Sequence, residues 1–93
     1  MSFDIEYNEE KNEFLKRTRG ICFEDVREAL NANGYITVIR HKNKKKYRHQ
    51  HILVVEIKSY IYAVPFVWDK RKNIAFLKTV YPDRKLTKLY LSK

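Results

Sequence analysis

Three closely spaced apolar segments constrain this chain more than anything else in it. They are Ile52-Leu53-Val54-Val55-Glu56-Ile57, Tyr60-Ile61-Tyr62-Ala63-Val64-Pro65-Phe66-Val67-Trp68 and Ile74-Ala75-Phe76-Leu77-Lys78-Thr79-Val80-Tyr81. Each is rich in β-branched and aromatic residues, and the polar stretches Lys58-Ser59 and Asp69-Lys70-Arg71-Lys72-Asn73 separate them. That pattern predicts two consecutive hairpins of an antiparallel meander. In the first two segments both alternating faces are mostly apolar, which predicts central strands covered on both sides. Pro65 conflicts with a central strand because it has no N–H to donate, so a bulge or an edge position is expected there.

The flanking sequence supplies the covers. Phe3-Asp4-Ile5-Glu6-Tyr7 alternates as a short strand with one wet face. Asn8 is placed to cap a helix that carries Glu9 and Glu10 in its first turn and stops at Gly20. A second helix begins near Phe23, with Phe23, Val26, Ala29 and Leu30 along one face, and ends at Asn33-Gly34. Cys22 lies just before it, where a helix dipole lowers a thiol pKa, although such a Cys is more often a small buried hydrophobe or a poor cap than a nucleophile. Tyr35-Ile36-Thr37-Val38-Ile39-Arg40 reads as the strand entering the sheet. After the Pro82-Asp83 turn, Arg84 to Leu91 reads as a short basic helix with Leu86, Leu89 and Tyr90 on one face. The expected fold class is α+β: an N-terminal strand and two helices, a four-stranded antiparallel meander and a short C-terminal helix, in a single domain spanning residues 1–93.

Charge is divided unevenly along this frame. Residues 1–31 carry five Lys/Arg against eight Asp/Glu, net −3, whereas residues 32–93 carry fifteen against three, net +12. Solubilising surfaces mix both signs, so a one-signed field points to a polyanionic partner. It is densest in His41-Lys42-Asn43-Lys44-Lys45-Lys46-Tyr47-Arg48-His49-Gln50-His51, with four Lys, one Arg and three His in eleven residues. No core absorbs such a segment. The 44% hydrophobic content and thirteen aromatics argue against disorder, no apolar run reaches membrane-span length, and the start of the chain does not resemble a signal peptide. A single cysteine excludes an internal disulfide and a cysteine-based zinc site. A cytoplasmic protein is expected.

The string Phe3-Asp4-Ile5-Glu6-Tyr7-Asn8-Glu9-Glu10-Lys11-Asn12, followed by Arg19-Gly20-Ile21-Cys22-Phe23-Glu24-Asp25-Val26, resembles the opening of BrnT-type toxins, small ribonucleases of bacterial toxin–antitoxin operons with a RelE-like fold. Leu77-Lys78-Thr79-Val80-Tyr81-Pro82-Asp83-Arg84-Lys85-Leu86-Thr87 is similar to that family's last strand and the start of its final helix. Cys22 stands where the family has Ser, the His41–His51 loop is more basic than is typical, and the family's Glu-bearing turn reads Trp68-Asp69-Lys70-Arg71. The resemblance implies a RelE-like ribonuclease toxin, possibly from a sister family, with RNA (messenger RNA in particular) as substrate. It also implies a cognate antitoxin, itself a DNA-binding protein, that masks the basic surface.

Metal-free RNA cleavage needs a group to take the 2′-OH proton, cations for the phosphorane charge and an acid for the leaving 5′-oxygen. The basic region holds only Glu56, Asp69 and Asp83, each on a different segment, so the clustered carboxylates of a two-metal nuclease are not expected. His49 and His51 lack the further ligands of a zinc site. No metal or cofactor is expected. Arg84, Lys78 and Arg48 are the candidate cations, Arg84 because it matches the family's arginine and Lys78 because a mid-strand lysine beside Ile74, Phe76 and Val80 is unusual. An edge-strand charge that blocks aggregation explains Lys78 equally well. His49 and His51, which project together if the loop is extended, are the candidate proton-transfer groups, with His41, Tyr47 and Tyr81 as alternatives. Lys42, Lys44, Lys45, Lys46, Tyr47 and Lys85 are the candidate RNA-binding residues, and Tyr47 is placed to stack on a base. The rival readings are a non-catalytic nucleic-acid-binding module using the same face and a protein–protein adaptor.

Overall fold

In a computed structural model, which describes residues 3–41, 43 and 45–91, nine elements follow one another. They are β1 (Asp4–Tyr7), α1 (Glu9–Arg19), α2 (Phe23–Asn31), β2 (Tyr35–Arg40), β3 (Gln50–Ile57), β4 (Tyr60–Asp69), β5 (Ile74–Leu77), β6 (Tyr81–Pro82) and α3 (Arg84–Leu91). The class is α+β, with one mixed six-stranded sheet in the order β1-β5-β4-β3-β2 and β6 paired to β4. β2 to β5 form the antiparallel meander, and β1 lies parallel to β5 at its edge. Among the described residues no helix is long and apolar enough to cross a membrane.

Both faces of β3 and β4 are buried, as their sequence requires. Leu53, Val55, Ile57, Val64 and Phe66 face α1 and α2, where Leu15, Phe23 and Val26 meet them. Ile52, Val54, Ile61 and Ala63 point the other way, toward Leu86 and Leu91 of α3. The β3–β4 turn is tight: Lys58 and Ser59 both have positive φ (53° and 66°), the backbone that right-handed strand twist demands of a two-residue hairpin.

Pro65 sits in a central strand, paired with Ile52, and neither at a bulge of its own nor at the sheet edge. Its carbonyl accepts the Lys78 N–H at 2.8 Å. In an antiparallel strand the N–H and C=O of one residue point to the same side, so the donor that Pro65 lacks faces that same neighbour. There the neighbouring strand is interrupted. The expected single strand from Ile74 to Tyr81 is two pieces, β5 and β6, with Lys78–Val80 irregular between them. Lys78 is therefore the first residue beyond a strand and not a mid-strand lysine.

The helices follow their caps. The Asn8 side chain accepts from the Lys11 N–H (2.9 Å), and Gly20 ends α1 at φ 67°. Asn12, 1% exposed, joins the two helices: its Oδ1 accepts the Phe23 N–H at 2.8 Å and its amide donates to Glu24 at 3.1 Å. Lys16 meets the same Glu24 carboxylate at 2.8 Å. Cys22 is the N-cap of α2, its N–H donating to Asp25 Oδ2 (2.9 Å). Burial pushes its thiol up from the ordinary value, so the dipole-lowered alternative does not hold. In α3 the side chains toward the sheet are Leu86, Thr87 and Leu91, whereas Leu89 is 69% exposed and Tyr90 39%. The expected Leu86–Leu89–Tyr90 face is thus rotated, because the Thr87 hydroxyl takes the Ile61 N–H (3.0 Å) and sets the helix orientation.

Gly34 links α2 to the sheet by close approach. Its N–H donates to the Ala29 carbonyl, its carbonyl accepts from Glu56, and a Cβ there would lie 2.7 Å from the Glu56 oxygen and 2.8 Å from the Ala29 oxygen. Both neighbours are backbone and cannot rotate away. Gly34→Ala is expected to lower stability by about 1–3 kcal/mol, as overpacking does. Gly20→Ala, with open space but a left-handed φ, should cost about 1 kcal/mol. Urea unfolding measures both, and a Gly34→Ala midpoint at or above that of the unsubstituted protein contradicts the packing described.

Candidate functional site

α3 covers only part of its sheet face. Beside it lies a cleft of about 420 Å³ lined by Ile39, Ile52, Leu86 and Leu89 as apolar surface and by His41, Tyr81, Asp83 and Lys85 as polar groups. The residues come from three parts of the chain. Ile39 and His41 belong to the end of β2, Ile52 to β3, and the rest to the β6–α3 corner. Two other hollows are acidic in their lining. The one between α2 and β3 carries Asp25, Glu28 and Glu56 against Lys58, and the one along α1 carries Glu9, Glu10 and Glu13 against Lys11 and Arg17. For a polyanion, the cleft beside α3 adjoins the right sign: through His41 it borders a small hollow lined by Arg40, Tyr47 and Arg48.

Local structure fixes Asp83 and His41. Asp83 caps α3, with its Oδ1 accepting the Leu86 N–H at 2.9 Å, and its own N–H donates to the Ile61 carbonyl. His41 Nδ1 accepts the Asn43 backbone N–H at 3.2 Å, which places the proton of the neutral ring on Nε2. The ring also stacks on Tyr47, centroids 4.2 Å apart, and the Lys46 ammonium lies 5.2 Å from the Tyr47 centroid. Burial, and then the Asp83 carboxylate, raise the Tyr81 phenol above its ordinary range. Among the described residues no three His, Cys, Asp or Glu side chains are grouped to hold a metal ion.

Of the residues named from sequence, Lys85 lines the cleft, and Tyr47 stands behind His41 at its rim. Lys78 is exposed beyond β5, with its ammonium 5.4 Å from the Phe76 ring. Lys45, Lys46 and Arg48 are exposed in the β2–β3 loop, and the Arg48 Nε donates to His49 Nε2 at 3.3 Å. Lys42 and Lys44 lie outside the described residues. Arg84 is exposed on α3 but does not line the cleft. At about 100° per residue it lies some 100° from Lys85 and 140° from Leu89, toward the other flank of the helix. His51 also stands apart. It belongs to β3, in step with Leu53 and Val55, so its ring faces the α1–α2 side against Phe66 (centroids 5.9 Å). His49 and His51 do not project together, because the chain turns at His49 and is extended only from Gln50.

Asp83 and the apolar floor of Ile39 and Ile52 were not singled out from sequence. The signal for Asp83 was present as an N-cap residue three positions before Leu86. Pairing Ile39 with Ile52 needs the β2–β3 register, which a loop of this length leaves open.

The phenol of Tyr81 is expected to ionise above pH 10.0, the ordinary tyrosine value. Folding disfavours its charged form, so this group's contribution is intact below that pH and is lost as pH rises through it. The difference in 295 nm titration between the unsubstituted protein and Tyr81→Phe reads the midpoint directly. Asp83→Asn should lower it only modestly, since burial is the larger cause. A midpoint at or below 10.0 contradicts the burial assigned to this ring. Compared with models of protein families, with curated proteins and with solved structures, the chain matches none.

Proposed function

We propose that the chain is a metal-independent ribonuclease toxin of a toxin–antitoxin pair, with a RelE-like arrangement of the BrnT kind. The observation that carries this reading is the cleft itself. One sheet face brings a histidine from the end of β2 up to a protonated tyrosine, a carboxylate and a lysine of the β6–α3 corner, beside a β2–β3 loop rich in cations.

The parts fit a transesterification. Asp83, with one oxygen committed to the α3 cap, has the other free to take the ribose 2′-OH proton. The 2′-oxygen forms a bond to phosphorus, the bond to the 5′-oxygen breaks, and Tyr81 gives its proton to that oxygen. Lys85 offsets the charge on the phosphorane, and the His41 Nε2–H donates to a non-bridging oxygen. The products are a 2′,3′-cyclic phosphate and a 5′-hydroxyl. Messenger RNA in the cytoplasm is the substrate in this reading. A DNA-binding antitoxin with an acidic segment is the partner that silences it.

The purified chain is expected to shorten single-stranded RNA in the presence of EDTA, leaving cyclic-phosphate ends. Lys85→Ala and Tyr81→Phe should each lower kcat/KM by about 100-fold or more. Arg84→Ala, outside the cleft, should lower it less than about tenfold. Intact RNA after prolonged incubation overturns the ribonuclease reading. Salt-dependent binding without any product then leaves a nucleic-acid-binding module in its place. Loss of cleavage in Arg84→Ala with none in Lys85→Ala moves the site to the other flank of α3.

A further inference from the structure

Above α3 the same sheet face stays open, and its apolar residues belong to neither core. Val67, Ile74 and Phe76 are half-exposed and pack in neither the α1–α2 cluster nor the α3 cluster. The ladder aligns them. Glu6 pairs with Phe76, Phe76 with Val67, and Val67 with Gln50; one step beyond the Arg40–His51 pair, His41 comes level with Gln50. Phe76 and His41 thus mark the two ends of one transverse row, three strand spacings or roughly 14 Å apart.

Each end carries the same pairing. Lys78 holds its ammonium 5.4 Å from the Phe76 ring, and Lys46 holds its own 5.2 Å from Tyr47, which stacks on His41. An aromatic face beside a lysine, repeated at both ends of a row that carries Val67 and Gln50 between them, suits a chain whose flat bases alternate with phosphates. Glu6, next to Phe76 at the β1 edge, repels phosphate, so the sugar–phosphate backbone is directed away from that edge.

Resting on the ribonuclease reading, we infer that this open row is a platform for single-stranded RNA. It has two stacking stations, Phe76 with Lys78 and Tyr47 with His41, which hold bases on either side of the cleft. A duplex keeps its bases paired and stacked inside and cannot use either station.

The test uses the whole chain and a fluorescent 2′-O-methyl oligoribonucleotide, which binds but cannot be cleaved by 2′-oxygen attack, single-stranded or annealed to its complement. Fluorescence anisotropy at fixed salt should show tighter binding of the single strand. Phe76→Leu, which keeps an apolar side chain but removes the π face, and Tyr47→Ala should each weaken that binding about 5- to 150-fold and leave duplex binding nearly unchanged. Thermal melting confirms that both variants are folded. If both bind the single strand within twofold of the unsubstituted chain, or if the oligonucleotide is not bound at low salt, the platform is refuted and the row faces some other partner. Cleavage of unmodified RNA is scored separately. Stacking-dependent binding without cleavage supports the platform and sinks the nuclease, whereas cleavage with Phe76-independent binding does the reverse.

Discussion

Burial of β3 and β4 on both faces is the constraint on which the rest depends. A sheet whose two central strands are apolar on either side needs two covers. On one side α1 and α2 supply a continuous one, with Leu15, Phe23 and Val26 fully buried. On the other side the chain has only α3. Eight helical residues span about 12 Å, whereas the ten residues of β4 span about 33 Å, so the second cover is short by more than half. The cleft and the open row beside it are the remainder. Their existence follows from element lengths before any catalytic residue is considered.

Pro65 shapes the edge of that remainder. A missing donor in the middle of β4 cannot be met by a continuous neighbour, so the following strand breaks at Lys78–Val80. The break reverses the alternation. Val80 turns into the α1–α2 core and Tyr81 to the α3 side, where it reaches the cleft. Without the interruption, strict alternation from Leu77 would carry Tyr81 into the α1–α2 core instead. A residue with no side-chain chemistry thus positions the one proposed as the acid.

The sheet was legible because its signals are local: residue types, period and turns. The caps at Asn8 and Gly20 and the order of elements followed from the same kind of signal. What local pattern could not supply was the pairing between distant segments. Tyr81 lies on the α3 face through a break whose cause, Pro65, is sixteen positions earlier. Leu89 looks apolar and is exposed, because a single Thr87 hydrogen bond sets the rotation of α3. The N-terminal residues that carry the resemblance prove to be structural in this fold. Asn12, Phe23 and Glu24 clamp α1 to α2 and Asp25 caps α2, away from the cleft. They speak to scaffold, and the residues that could do chemistry lie near the other end of the chain.

The proposed chemistry requires one placement, that nucleic acid lies on the α3 face of the sheet. Amide chemical-shift changes on titrating the labelled protein with a short 2′-deoxy RNA analogue read this directly. The predicted changes cluster at Ile39, His41, Tyr47, Phe76, Lys78 and the turn from Tyr81 through Lys85. Changes gathered instead on α1 and α2, or along the Arg84–Lys88 flank with Ile39 and His41 unmoved, would contradict it.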